Sequence, residues 1–199
     1  MRSVIKLDPL HPGITIRTPG LQIAIQLVTT GHAFEMAMEA QADILTHTPL
    51  QAPLRETLAA RMAAQGTLAV PTLIKEKLLA GMAKHSYRNA ELSMMQMHNA
   101  GVPVLAGTDA YVGPGFPFVI HHGESFHEEL SLLVAAGLTP IEALRSATTL
   151  LAQLLSLEDR GTIAEGKRAD LLLVEGDPTS NISATRAIQG VWIRGERVR

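Results

Sequence analysis

The chain has 199 residues, of which 46% are hydrophobic and 18% charged, with a formal net charge of -2 and no cysteine. That is enough apolar material for one sizeable core, or a domain with an appendage, and it argues against disorder. The balance of charge argues against nucleic acid or an anionic membrane as main partner, and the lack of cysteine removes disulfides, thiolate zinc sites and cysteine nucleophiles.

Short apolar, β-branched runs recur at residues 4–7, 27–30, 43–46, 67–70 and 102–106, each followed by a polar residue. Between them, at 34–40, 54–65 and 89–100, apolar residues fall at three- and four-residue spacing. This alternation predicts βα units, a parallel sheet and the α/β class. Residues 21–27 leave room for about two helical turns between the first two strands. Further on, Thr139-Pro140-Ile141-Glu142 carries a capping Thr, a Pro at the first helical position and a Glu completing a capping box. Ser125 and Glu128 repeat the S-x-x-E form, so helix is expected, with breaks, over 125–157. Beyond Gly161 the pieces 162–163, 170–174, 191–194 and 197–198 look like strands. Gly166-Lys167, Gly176-Asp177 and Gly195-Glu196 are turn signals between them. A boundary is expected that divides a helix-and-strand domain, 1–160, from a small β module, 161–199. No apolar run follows Met1-Arg2-Ser3 in the manner of a secretory leader, and none reaches the roughly 18–20 residues of a membrane helix. A soluble, cytoplasmic protein is expected.

The chemistry-bearing residues collect where the predicted strands end: Lys6, His32, His47, Thr72 and Asp109. In a βα barrel such positions converge on one mouth. Imidazole and carboxylate are ligands that a hydrolytic divalent metal prefers, and a bound metal lowers the pKa of its water and polarises a carbonyl. An aspartate beside it can move the proton from water to a leaving nitrogen. Each residue singly has a plainer reading. A lone histidine after a strand is ordinarily a surface or hydrogen-bonded residue, Asp109 after Gly107-Thr108 can cap or turn the chain, and a strand-end lysine is ordinarily solvated. His11, His85 and His98 are read as loop or helix-surface residues.

The run Ala100-Gly101-Val102-Pro103-Val104-Leu105-Ala106-Gly107-Thr108-Asp109-Ala110 resembles the last barrel strand of the amidohydrolase superfamily, nearest to its imidazolonepropionase-like and prolidase-like branch. Gly123-Glu124-Ser125-Phe126-His127-Glu128-Glu129-Leu130 and Ala136-Gly137-Leu138-Thr139-Pro140 are similar to the segment after that strand. Gly161-Thr162-Ile163 and Gly166-Lys167-Arg168-Ala169-Asp170-Leu171 resemble the return into a composite β-sandwich. Asp43-Ile44-Leu45-Thr46-His47 resembles the sixth strand with its histidine ligand. The resemblance implies the C-terminal part of a metal-dependent-hydrolase TIM (β/α)8 barrel, strands four to eight, followed by part of a small composite β-sandwich. It implies Asp109 as metal ligand and proton shuttle, and His47 and His32 as ligands. Lys6 stands at the position that some members carboxylate to bridge two metals. One or two divalent ions, zinc by preference, are the implied cofactor. His127 and His122 fall where substrate-contacting residues would lie.

The sequence also departs from the family. No His-x-His pair occurs, although members carry one at the first barrel strand, and the adjacent pair His121-His122 lies after the last strand. Two readings follow. One is a hydrolase that cleaves an amide or cyclic-amide C–N bond of a small molecule by metal-activated water. The other is a truncated, non-catalytic remnant serving as a binding or scaffold piece. Open strand edges predict a homo-oligomer or a complementing chain.

Overall fold

The computed structural model describes residues 3–6, 23–26, 30–114 and 117–199. Four short strands lie side by side in sequence order and all run parallel: β1 (Ser3–Lys6), β2 (Ile23–Gln26), β3 (Ile44–Thr46) and β4 (Leu68–Val70). Their registers align one row at the carboxyl ends, Lys6 with Gln26, Gln26 with Thr46 and Thr46 with Val70. The run at 102–106 extends this sheet by one parallel bridge, Ala69 to Val104, in which Ala69 N donates to Pro103 O and Leu105 N to Ala69 O. The described strands form an α/β sheet of this kind, not a closed barrel.

Helices fill the connections. α1 (Gly31–Glu39) starts where Thr30 Oγ1 accepts from Ala33 N, satisfying one of the orphan amides of its first turn. α2 (Glu56–Gln65) stops at Gly66, whose φ of 70° is the left-handed C-cap conformation that glycine adopts without a Cβ penalty. α3 (Leu73–Ala83) and α4 (Tyr87–Asn99) follow β4. After the bridge at Val104 come α5 (Glu124–Ala135), α6 (Pro140–Ala147) and α7 (Thr149–Leu154). α6 opens with the expected capping box: Thr139 Oγ1 accepts from Glu142 N while Glu142 Oε2 accepts from Thr139 N.

The apolar periodicity is spent on two clusters. Phe34, Met38, Leu45, Met62 and Met97 join α1, α2 and α4 to β3, while Leu73, Met94, Val104, Leu130 and Leu133 join α3, α4 and α5 to the 102–106 segment. Each fully buried Leu, Met or Phe among them stabilises by about 1.5–3 kcal/mol relative to exposure. The polar row at the sheet's carboxyl end is thereby set against a rigid floor.

The tail forms a second, antiparallel sheet of β5 (Leu171–Val174), β6 (Ile188–Ile193) and β7 (Glu196–Arg197), with a 3-10 turn at Ile182–Arg186 between the first two. Arg186 reaches back to Glu128 of α5 at 2.6 Å. Among the described residues no helix is long and apolar enough to cross a membrane.

Four expectations need correction. A strand lies at Ile23–Gln26, within the stretch that looked like a shortened helix and ahead of the expected 27–30. Residues 21, 22 and 27–29 lie outside the described residues. The short run 162–163 forms no strand; Ile163 is almost wholly exposed, and a strand needs a partner. Ser125 caps nothing: α5 begins one residue earlier, its Oγ donates to His121 O, and Glu128 goes to Arg186 instead. The predicted helices also omit α3, because its first turn mixes Lys75 and Glu76 into the apolar positions.

Candidate active site

His47 follows β3 directly. Its backbone N–H donates to Val70 O, which prolongs the sheet by one bond, and its φ is then 74°. Thr72, two residues beyond β4, has φ 51°, and Asp109, three beyond the 102–106 segment, also has φ 51°. Left-handed backbone costs a non-glycine residue about 1–2 kcal/mol. Three such residues at adjacent strand ends mark a place where the chain turns side chains together against its local preference.

The side chains do meet. His47, 4% exposed, places Nδ1 2.7 Å from Thr72 Oγ1 and Nε2 3.1 Å from Lys75 Nζ. Lys75, in the first turn of α3 and itself buried, donates from Nζ to Asp109 Oδ2 at 2.5 Å. Nε2 of His47 is 3.9 Å from that same oxygen. The proton inventory closes in one way. An ammonium has three donors and no acceptor, so Nε2 must accept and Nδ1 must carry the ring hydrogen. Nδ1–H then donates to Thr72 Oγ1, whose own hydroxyl donates to Pro71 O at 2.8 Å. Burial pushes His47 down to about 4, and the positive charge of Lys75 pushes the same way, while Asp109 opposes. The imidazole is therefore neutral at neutral pH, as an acceptor must be.

Beneath this row lie two buried carboxyls. Glu76 Oε1 is 3.7 Å from His47 Nδ1, and neither of its oxygens has a hydrogen-bond partner among the described residues. Burial raises it to about 8; Lys75 opposes, while Glu129 and Asp109 add to the rise. Glu129 of α5 accepts from Leu73 N at 2.9 Å and Ile74 N at 2.8 Å, capping the amino end of α3 from another helix. Burial raises it to about 7 against those two bonds, with Glu128 contributing to the rise. Glu129 thus anchors the helix turn that presents Lys75. Asp109, 40% exposed, is where the cluster opens to solvent.

The residues singled out by sequence separate in the structure. His47, Thr72 and Asp109 come together. His32 is the second residue of α1, exposed and 3.6 Å from Glu35, and so lies on a helix rather than at a strand end. The register row puts Gln26 at the carboxyl end of β2. Lys6 closes β1, and its side chain lies outside the described part of the structure, as does His11. His122 is exposed just before α5. His127 is half-buried on α5, its Nδ1 without a hydrogen-bond partner among the described residues, and burial with the charge of Arg186 lowers its pKa. Lys75, Glu76 and Glu129 were missed. The signal for the first two is weak but real: adjacent charges in the first turn of an apolar segment, three and four residues after a strand-end Thr.

A divalent ion was expected here, and among the described residues the donor set does not complete a site for one. A catalytic zinc site takes three protein ligands. Among the described residues no group of three or more His, Cys, Asp or Glu is placed to hold a metal. His47 and Asp109 supply two donors, with an ammonium between them.

Comparison with known proteins agrees with this geometry in family and fold. The amidohydrolase family model matches residues 16–198. An imidazolonepropionase of Cereibacter sphaeroides is 34% identical over 169 residues, covering 84% of this chain and 38% of that protein. An imidazolonepropionase of Deinococcus deserti is 37% identical over 106 residues, covering 50% of this chain and 25% of that one. A crystal structure of a Xaa-Pro dipeptidase with methionine bound in its active site superposes with a TM-score of 0.74 at 26% identity, covering 90% of this chain and 45% of the other. This chain therefore spans less than half the length of these relatives.

Proposed function

The chain belongs to the amidohydrolase family, and from that premise we propose that it takes part in hydrolysis of a C–N bond, in an amide or cyclic amide of a small molecule. The observation that carries the reading is the meeting of His47, Lys75 and Asp109 at the carboxyl ends of parallel strands, with Asp109 the exposed member. Relatives named imidazolonepropionase and Xaa-Pro dipeptidase support it.

In this reading a water molecule lies against Asp109 and attacks the carbonyl carbon. The second oxygen of the Asp109 carboxylate, Oδ1, takes the water proton as the C–O bond forms. It then hands that proton to the leaving nitrogen as the C–N bond breaks, giving a carboxylic acid and an amine. Lys75 holds Oδ2 and so fixes the direction of the other oxygen, while His47, locked between Thr72 and Lys75, keeps Lys75 from swinging out. General acid–base action by one positioned side chain contributes roughly 10²–10⁴-fold. Metal-activated water is the finer expectation of the family resemblance; the described donors do not complete a site, and no step is assigned to an ion. The second reading, a binding or scaffold piece without turnover, is favoured by that same incomplete donor set.

The test is amine release from a panel of dipeptides, N-acyl amino acids and cyclic amides, with Asp109→Asn run beside the parent. A loss of at least about 10²-fold in the variant supports the hydrolase reading. Amine release no greater from the parent than from Asp109→Asn, across the panel, overturns it in favour of the second.

A further inference from the structure

We propose that the ammonium group of Lys75 stands where a divalent ion would otherwise bridge His47 and Asp109, so that this pair is organised by a cation the chain carries itself. The claim concerns what occupies the site and does not depend on turnover.

The geometry leaves no room for both. His47 Nε2 and Asp109 Oδ2 are 3.9 Å apart, and Lys75 Nζ lies 3.1 Å from the first and 2.5 Å from the second. Zinc–nitrogen and zinc–oxygen bonds are about 2.0–2.2 Å, and every point at that distance from both donors falls within about 3.0 Å of Nζ. An ammonium offers such an ion no lone pair, only like charge and three hydrogens. The two cations also compete for the same electrons: neutral His47 has one ring lone pair, on Nε2, and Lys75 uses it. The opposite ring nitrogen is committed to Thr72, whose hydroxyl is committed in turn to Pro71 O.

The surroundings favour the lysine over the ion. Lys75 is buried on a helix turn whose first amides are held by Glu129 from α5, so its stem is fixed rather than searching. Glu76, fully buried, lies 3.7 Å from Nδ1 on the other side of the ring, so among the described residues it supplies no third ligand for an ion at Nε2. The register adds a further point: the β2 position in line with Lys6 and Thr46 is Gln26, a residue type that bears neither imidazole nor carboxylate.

The test uses ¹⁵N-labelled protein and inorganic zinc as probe. Exposed lysine ammonium hydrogens exchange with water too fast to give ¹H–¹⁵N signals at neutral pH, whereas a buried, hydrogen-bonded one persists. The expected result is a retained lysine ammonium signal that Lys75→Met removes and Lys77→Met, on the exposed side of the same helix, leaves in place. That signal should survive millimolar zinc, and the protein after dialysis should hold zinc only substoichiometrically. The proposal is overturned if no such signal exists in the parent. It is equally overturned if zinc abolishes the signal while the protein retains one equivalent that His47→Asn loses. Should Lys75→Met fail to fold, the zinc titration of the parent with its His47→Asn control decides by itself.

Discussion

Replacing Glu129 by glutamine tests how the site is held together. The side chain is fully buried and accepts from Leu73 N and Ile74 N, bonds that favour the carboxylate, yet burial outweighs them and raises the group from 4.5 to about 7. Between those two values the folded chain keeps a proton that the unfolded chain has released. Stability from this group is therefore fully present below about pH 4.5 and is lost as pH rises through about 7. At roughly 1.4 kcal/mol per tenfold change, the interval is worth on the order of 3 kcal/mol. A carboxamide has nearly the shape of the neutral acid and cannot ionise, but its nitrogen cannot accept from Leu73 N or Ile74 N as both carboxyl oxygens do, so Glu129→Gln should lie about 1–3 kcal/mol below the parent near pH 5. It should then gain on it by about 3 kcal/mol by pH 8.5. Urea unfolding of both proteins across that range measures the difference, in which the opposite contribution of His47, present above about 6.5 and lost toward 4, cancels. If the two curves run parallel, or the variant falls behind as pH rises, the amide bonds outweigh burial and the reasoning is wrong.

Thr139→Ala removes the hydroxyl that accepts from Glu142 N at the start of α6, and should cost about 1–2 kcal/mol in urea unfolding; an unchanged midpoint would show the capping box contributes nothing. Gly107→Ala would set a Cβ 2.5 Å from Val70 Cγ1, pushing the 102–109 segment off β4. It should destabilise by about 1–3 kcal/mol. Because the push displaces Asp109, it should also weaken the Lys75 ammonium signal, and a variant as stable as the parent with that signal intact would contradict the close approach.

The class of fold and much of its order were legible in the sequence, since they rest on local and periodic properties. Apolar runs at 43–46 and 67–70 became β3 and β4 because a strand covered on both faces reads as continuous hydrophobic residues. The capping box at Thr139 formed because both of its bonds lie within four residues. Family likeness was carried by the segments around His47 and Asp109, and the match over 16–198 agrees with it. Periodicity could not find the edge of β2, where the apolar stretch continues past Gln26 and only pairing with β1 and β3 selects the register. His32 shows the consequence: four residues of slip separate a strand-end position from the exposed first turn of a helix.

Tertiary structure alone decided the composition of the site. Lys75 and Asp109 are 34 positions apart and Glu129 lies 56 beyond Leu73, so no local pattern announces either contact. The left-handed backbone at His47, Thr72 and Asp109 is likewise invisible in residue type, because the sheet around it imposes it. Sequence specified which chemical groups the chain has near its strand ends. Which of them share a lone pair, and which cation sits between His47 and Asp109, was decided by how α3 and α5 close over the sheet.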